Sequence, residues 1–202
     1  LTLERASAVS KNQLIVASED HRFLVQECAH AAKVQSRIVL EPMGRNTAAA
    51  MACAALNVPA DTLLLFLPAD HHIPDARAFS DTVRCGEAAA RAGSIVTFGV
   101  QPSFPSTAYG YIQQGDPLEG RPGVHQVQRF IEKPDAHRAQ ELLLQGRHFW
   151  NAGIFLAQAG SLLQALEAFA PDILAACRQA VAAQETDGDF LRLDSTSFSG
   201  CR

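Results

Sequence analysis

The feature that most narrows the fold is an alternation: short apolar runs, too short for helices, separated by Ala-rich stretches of helical period. Residues 13–18, 37–40, 62–67 and 94–100 read as strands, and residues 19–32, 46–56 and 75–92 as helices. Gly93 stops the third helix, and Asn46 offers a side-chain oxygen to cap the second. Strands joined in turn by helices, with short connections, specify a parallel sheet flanked by helices. The run at 62–67 lacks polar alternation, as a strand covered on both faces would. After residue 100 the pattern changes. Eight Pro and Gly residues between 102 and 123 interrupt two strands, 109–114 and 124–132, expected to pair antiparallel as an insertion. Helix 135–145, strand 149–158 and helices 160–169 and 171–184 follow. The expected class is α/β, with a mostly parallel central sheet flanked by helices and a small antiparallel insertion.

Composition excludes several functions. Lys and Arg number 17 against 21 Asp and Glu, a net charge of -4, which argues against a nucleic-acid surface. No apolar run approaches the length of a membrane span. The five cysteines are odd in number and widely spaced, with no Cys-x-x-Cys, so neither a zinc site nor a disulfide framework is expected. Four of them sit in Ala- and Leu-rich surroundings as small core residues, suiting a reducing cytoplasm. The chain begins at Leu1 and stops at Arg202, and neither end resembles a natural terminus; a longer parent protein is expected.

Open α/β sheets bind ligands at the carboxyl ends of their strands. Three places meet that rule. In Leu67-Pro68-Ala69-Asp70-His71-His72, a carboxylate follows an apolar strand; Asp70 either binds a hard cation such as Mg2+ or caps the next turn. His71 and His72 read as loop hydrogen-bonders rather than ligands. In Glu41-Pro42-Met43-Gly44-Arg45-Asn46-Thr47-Ala48, a strand runs through a tight turn into a helix N-terminus beside an Arg. That is either an anion or base cradle, or an ordinary capped helix with a solvated Arg45. The third place combines Tyr109-Gly110-Tyr111-Ile112, Phe130-Ile131-Glu132-Lys133-Pro134 and Phe149-Trp150-Asn151-Ala152-Gly153. Glu132 and Asn151 suit sugar hydroxyls and Lys133 suits a phosphate, although a surface salt bridge explains Glu132-Lys133 equally well. No Gly-x-Gly, Walker loop or Gly-x-Ser-x-Gly elbow occurs, and no Cys/His arrangement suggests a nucleophile.

These segments, taken in order, resemble the bacterial mannose-1-phosphate guanylyltransferases of the sugar nucleotidyltransferase superfamily, from about residue 13 to residue 194. The resemblance implies a Rossmann-like nucleotide-diphospho-sugar transferase fold and formation of GDP-mannose and pyrophosphate from GTP and mannose 1-phosphate, with Mg2+. It implies Asp70 as the metal ligand, and Gly44, Arg45, Asn46 and Thr47 beside the nucleotide. Gly110, Glu132 and Asn151 would hold the mannose and Lys133 its phosphate, with Asp70 and Lys133 carrying the catalysis. Residues 1–202 would form one nucleotidyltransferase domain, incomplete at both ends, with 101–134 as an inserted sugar-binding subdomain. The family's Gly-rich triphosphate loop would precede Leu1 and a second metal-binding Asp would follow Arg202, so the isolated chain is expected to be inactive. The other readings are a relative using another base or sugar, and a non-catalytic sugar-phosphate-binding domain. An exposed sheet edge is expected to invite a homodimer.

Overall fold

Residues 2–201 are described in a computed structural model of the chain. The elements run α1 (Thr2–Ser7), β1 (Gln13–Ser18), a 3-10 turn (Glu19–His21), α2 (Arg22–Ala31), β2 (Ser36–Glu41), α3 (Thr47–Leu56), β3 (Leu63–Phe66), α4 (Ala76–Arg91) and β4 (Val96–Val100). Then come β5 (Tyr111–Pro117), β6 (His125–Ile131), α5 (Ala136–Gln145), β7 (His148–Gln158), α6 (Ala159–Phe169), α7 (Pro171–Ala182), β8 (Glu185–Asp187), β9 (Phe190–Arg192) and α8 (Ser195–Ser199). They fall into two units. The first holds the chain up to Leu64, Ala69–Ser80 and the residues from Gln158 onward; the second holds Leu65–Pro68 and Asp81–Ala157.

The first unit carries the mostly parallel sheet, in the order β1-β2-β9-β8. β1 and β9 both lie parallel to β2, and β8 closes the edge antiparallel to β9. The period-two alternation divides β2 between two cores. Val39 faces Ala49, Ala52 and Cys53 of α3, Cys177 of α7 and Phe198 of α8. Ile38 and Leu40 face the other way, with Phe190 and Val25 of α2. The small side chains of α3 let it lie close against α7, and a fully buried residue such as Phe198 contributes about 2 kcal/mol by leaving water.

The second unit is antiparallel in every strand pair resolved within it. β5 pairs with β6 and with β7, and β4 pairs with β7 across a bulge between Thr97 and Gly99. Helix α5 is held at both ends, by Asp135 Oδ1 accepting from Arg138 N–H at 2.8 Å and by Gly146 at φ +69°. The expected α/β class holds, and the antiparallel pairing expected for 109–132 extends further, to β7 and β4.

Four details differ from the sequence reading. The helix expected at 19–32 begins as a 3-10 turn, capped by Ser18. The strand at 62–67 is half-buried throughout, because β3 lies at the end of its sheet's strand order, beside β7. β8, β9 and α8 have no counterpart in the sequence reading; each is five residues or fewer, too short for a periodic signal. Three cysteines are buried, while Cys28 and Cys85 are exposed. Among the described residues no helix is long and apolar enough to cross a membrane.

Candidate functional site

In the second unit, strand register assembles a polar cluster. Tyr111 of β5 stands opposite Ile131 of β6 and opposite Trp150 of β7. Both pairings are antiparallel, so the residue before Tyr111 meets the residues after Ile131 and after Trp150. Gly110, Glu132 and Asn151 therefore converge at one end of three strands. Asn151 N–H donates to the Gly110 carbonyl at 2.8 Å. A Cβ on Gly110 would stand 2.8 Å from Glu132 Oε2 and 3.7 Å from Asn151 Cβ. Only a glycine leaves the Glu132 carboxylate where it is.

The side chains point their chemistry outward. Asn151 Oδ1 accepts from Gly153 N–H at 3.1 Å, which fixes the amide and leaves its NH2 group to donate. Glu132 and Lys133 are largely exposed, with Nζ 3.7 Å from Oε1. The salt bridge weighed at the sequence level is thus present, but at that exposure it is worth little and yields readily to a ligand. Lys133 is held at φ +39°, a left-handed conformation that L residues rarely adopt. Beside the cluster, Trp150 stacks edge-on with Phe104 and Tyr109 at centroid distances of 4.8 and 5.1 Å. Phe104 was invisible as a site residue in sequence, where it is one apolar residue in a Pro-rich loop. That loop is pinned by Tyr111, whose buried hydroxyl accepts from Ser106 N–H and donates to Ser106 C=O, both at 2.9 Å. The arrangement offers a carboxylate, an amide and an ammonium beside an apolar wall, which suits a phosphorylated sugar.

In the first unit, Gly44, Arg45, Asn46 and Thr47 link β2 to α3. Asn46 occupies the N-cap position with extended backbone, but its side chain makes no capping bond. The expectation of a side-chain cap is corrected: the Asn46 side chain accepts no first-turn N–H, and its backbone carbonyl accepts one, from Ala49 N–H at 3.0 Å. A Cβ on Gly44 would meet nothing within 4 Å. Arg45 is not simply solvated, since its guanidinium donates to the Ser199 carbonyl at 2.8 Å and its Nε is buried without a partner.

Glu41, quoted in the sequence only as the start of this segment, is the residue that reading missed. It ends β2, the strand between β1 and β9, on the face that carries Val39. Its Oε1 is buried with no hydrogen-bond partner, and burial pushes the carboxyl above its usual value. A buried acceptor without a donor costs free energy unless a ligand supplies one. A strand-terminal Glu before Pro42 was the only sequence signal. Arg192, at the end of β9, is by contrast already neutralised by Asp187 at 2.9 Å and by Glu19.

Asp70 is exposed, and no hydrogen bond or ion pair engages its carboxylate among the described residues. The capping alternative falls to Asp75, whose Oδ1 accepts from Ala78 N–H at 2.9 Å. No group of three or more metal-ligating side chains occurs among the described residues, so a cation here would rest on one carboxylate with substrate oxygens and water. Cys53, Cys177 and Cys201 lie in one core cluster. The Cys53 thiol and burial push the Cys177 thiol up, and burial pushes Cys201 up to about 11, so neither is a nucleophile at neutral pH. A cavity of about 860 Å³ lies at the amino ends of β1 and β2 beside Lys11, His30 and Arg37 and contains none of these residues.

Comparison with known proteins gives the family. The nucleotidyl transferase family matches residues 1–196. Mannose-1-phosphate guanylyltransferase ManC of Salmonella typhimurium is 43% identical over 199 residues, covering 95% of this chain and 42% of the relative. Mannose-1-phosphate guanylyltransferase of Sinorhizobium fredii is 47% identical over 205 residues, covering 98% of this chain and 40% of the relative. The chain thus spans about two fifths of the length of these curated relatives. The crystal structure of mannose-6-phosphate isomerase from Helicobacter pylori superposes with a TM-score of 0.89 at 32% identity, covering 100% of this chain and 78% of that one.

Proposed function

The chain belongs to the nucleotidyl transferase family, and from that premise we propose that it serves the transfer of GMP from GTP to mannose 1-phosphate, giving GDP-mannose and pyrophosphate. The observation that carries this reading is the convergence of Gly110, Glu132 and Asn151 at one end of β5, β6 and β7. In the second unit, Glu132 accepts from sugar hydroxyls, Asn151 donates to one, and Lys133 meets the sugar phosphate. In the first unit, the turn from Gly44 to Thr47 and the free N-terminus of α3 receive the nucleotide. The orphaned Glu41 carboxylate accepts from the N1–H and N2–H groups that guanine presents on one edge.

A phosphate oxygen of the sugar phosphate bonds to the α-phosphorus of the nucleotide as the bond to the β-phosphate oxygen breaks, and pyrophosphate leaves. Nothing needs to be stored on the protein, so alignment and charge neutralisation suffice. Lys133 neutralises the attacking phosphate, which otherwise repels the triphosphate. Asp70 fits Mg2+, which prefers one or two carboxylates together with phosphate oxygens and water, and which when bound neutralises the triphosphate. Three thiols buried in one core cluster fit a reducing, cytoplasmic setting.

The test is product formation by the protein that carries this chain, with Mg2+, either mannose 1-phosphate or glucose 1-phosphate, and each of GTP, UTP and dTTP. GDP-mannose from GTP in clear excess over the other products supports the proposal; equal use of all three nucleotides, or glucose 1-phosphate preferred over mannose 1-phosphate, contradicts it.

A further inference from the structure

We infer that Arg5 and Thr2 of α1 are positioning residues for Asp70. This rests on the reading of Asp70 as the metal-binding carboxylate. Asp70 makes no side-chain bond of its own among the described residues, so its direction is set by the backbone on either side. Both flanking carbonyls are held by α1. Thr2 Oγ1 donates to the Ala69 carbonyl at 2.9 Å, and Arg5 Nη1 donates to the His71 carbonyl at 3.1 Å. Arg5 Nη2 also donates to Thr2 Oγ1 at 3.1 Å, joining the two contacts into one bracket around Asp70.

The bracket is built rather than incidental. Thr2 and Arg5 are three apart on one helix face, so α1 presents both groups together. Arg5 is only 8% exposed, and its guanidinium lies 5.6 Å from the centre of the Phe79 ring. Burying a guanidinium is expensive, and among the described residues no carboxylate pairs with it; its terminal nitrogens donate to the His71 carbonyl and the Thr2 hydroxyl. A planar guanidinium stacks on the ring while its two terminal nitrogens reach separate acceptors, which a lysine cannot do. The two bonds hold the backbone on both sides of Asp70 and so set the direction of its carboxylate.

The experiment measures Mn2+ affinity by the paramagnetic resonance of free Mn2+ in the presence of GTP, alongside amide exchange at residues 69–72, on the protein that carries this chain. The variants are Arg5→Met, Arg5→Lys, Thr2→Val, Thr2→Ser and Asp70→Asn. Arg5→Met and Thr2→Val are expected to weaken Mn2+ about tenfold, as loss of a group that orients a metal ligand does, and to speed exchange at 69–72. Thr2→Ser should restore both, and Arg5→Lys should recover less than half of the loss. If Asp70→Asn leaves Mn2+ affinity unchanged, the reading of Asp70 fails. If Asp70→Asn weakens it while Thr2→Val and Arg5→Met do not, that reading stands and the positioning role is wrong. Faster exchange with wild-type affinity likewise reduces the bracket to a structural tie and overturns the inference. Should Arg5→Met not fold, Thr2→Val against Thr2→Ser decides.

Discussion

Glu132 Oε2 lies 2.8 Å from where a Cβ on Gly110 would stand, so the carboxylate occupies space that any other residue at 110 would take. The obstructed atom is the far end of an exposed side chain, which moves at little cost. Gly110→Ala should therefore leave stability within about 0.5 kcal/mol. It should raise the KM for mannose 1-phosphate about tenfold, because the displaced carboxylate no longer reaches its hydroxyl. Thermal unfolding and steady-state kinetics on the same preparation check both halves. A large fall in Tm, or an unchanged KM, contradicts this account of Gly110.

Lys133 at φ +39° keeps a strained backbone next to the ammonium proposed to meet the sugar phosphate. The two roles separate by substitution. Lys133→Gly should be more stable than Lys133→Ala by roughly 0.5–1 kcal/mol, since only glycine adopts that conformation freely. Both should lose about a hundredfold in kcat/KM, having lost the charge that meets the sugar phosphate. Denaturant titration of the two variants, with kinetics beside it, measures the split.

Glu41 was assigned to the base because its buried oxygen lacks a donor. Inosine triphosphate lacks the guanine amino group, so the ratio of GTP to ITP use reads this contact directly. Glu41→Gln, which replaces one acceptor with a donor, should reduce that ratio about tenfold without altering the KM for mannose 1-phosphate. A ratio unchanged from wild type removes Glu41 from the nucleotide site.

His148 is 2% exposed, and both ring nitrogens are buried. Burial, then the charges of Arg138 and Arg129, lower its pKa from the ordinary 6.5; the Leu142 backbone opposes the shift. Below the ordinary value the unfolded chain binds the proton more readily than the folded one. Stability attributable to this group should therefore be intact above about pH 6.5. It should fall as pH drops toward the lowered folded value, by at most about 1.4 kcal/mol per pH unit for one proton. His148→Phe removes the titration, so its Tm should change less between pH 7.5 and pH 5.5 than that of the wild type. Parallel curves across that range contradict the assignment.

The architecture was largely legible from periodicity. The strand at 13–18 is Gln13–Ser18 residue for residue, and Asp135 and Gly146 bound α5 as their types require. The short elements were not legible: β8, β9 and α8 exist because of tertiary pairing with β2 and packing on α7, which no local pattern records. Of the candidate site, the residue types were readable while their relationships were not. The resemblance grouped Gly110 with Glu132 and Asn151, but only the strand register shows why a glycine stands there. Glu41 looked like the end of a strand, since a missing hydrogen-bond partner is a property of the fold. Thr2 and Arg5 carry no local signal of their role, since their acceptors lie more than 60 residues away.

The central claim, that the end of β5, β6 and β7 carrying Gly110, Glu132 and Asn151 binds the sugar phosphate, is tested most directly by one kinetic comparison. In the protein that carries this chain, Glu132→Ala and Asn151→Ala should each raise the KM for mannose 1-phosphate, by about tenfold for the carboxylate and about fivefold for the amide, while the KM for GTP stays at the wild-type value. A KM for mannose 1-phosphate that stays at the wild-type value in both variants would contradict the claim.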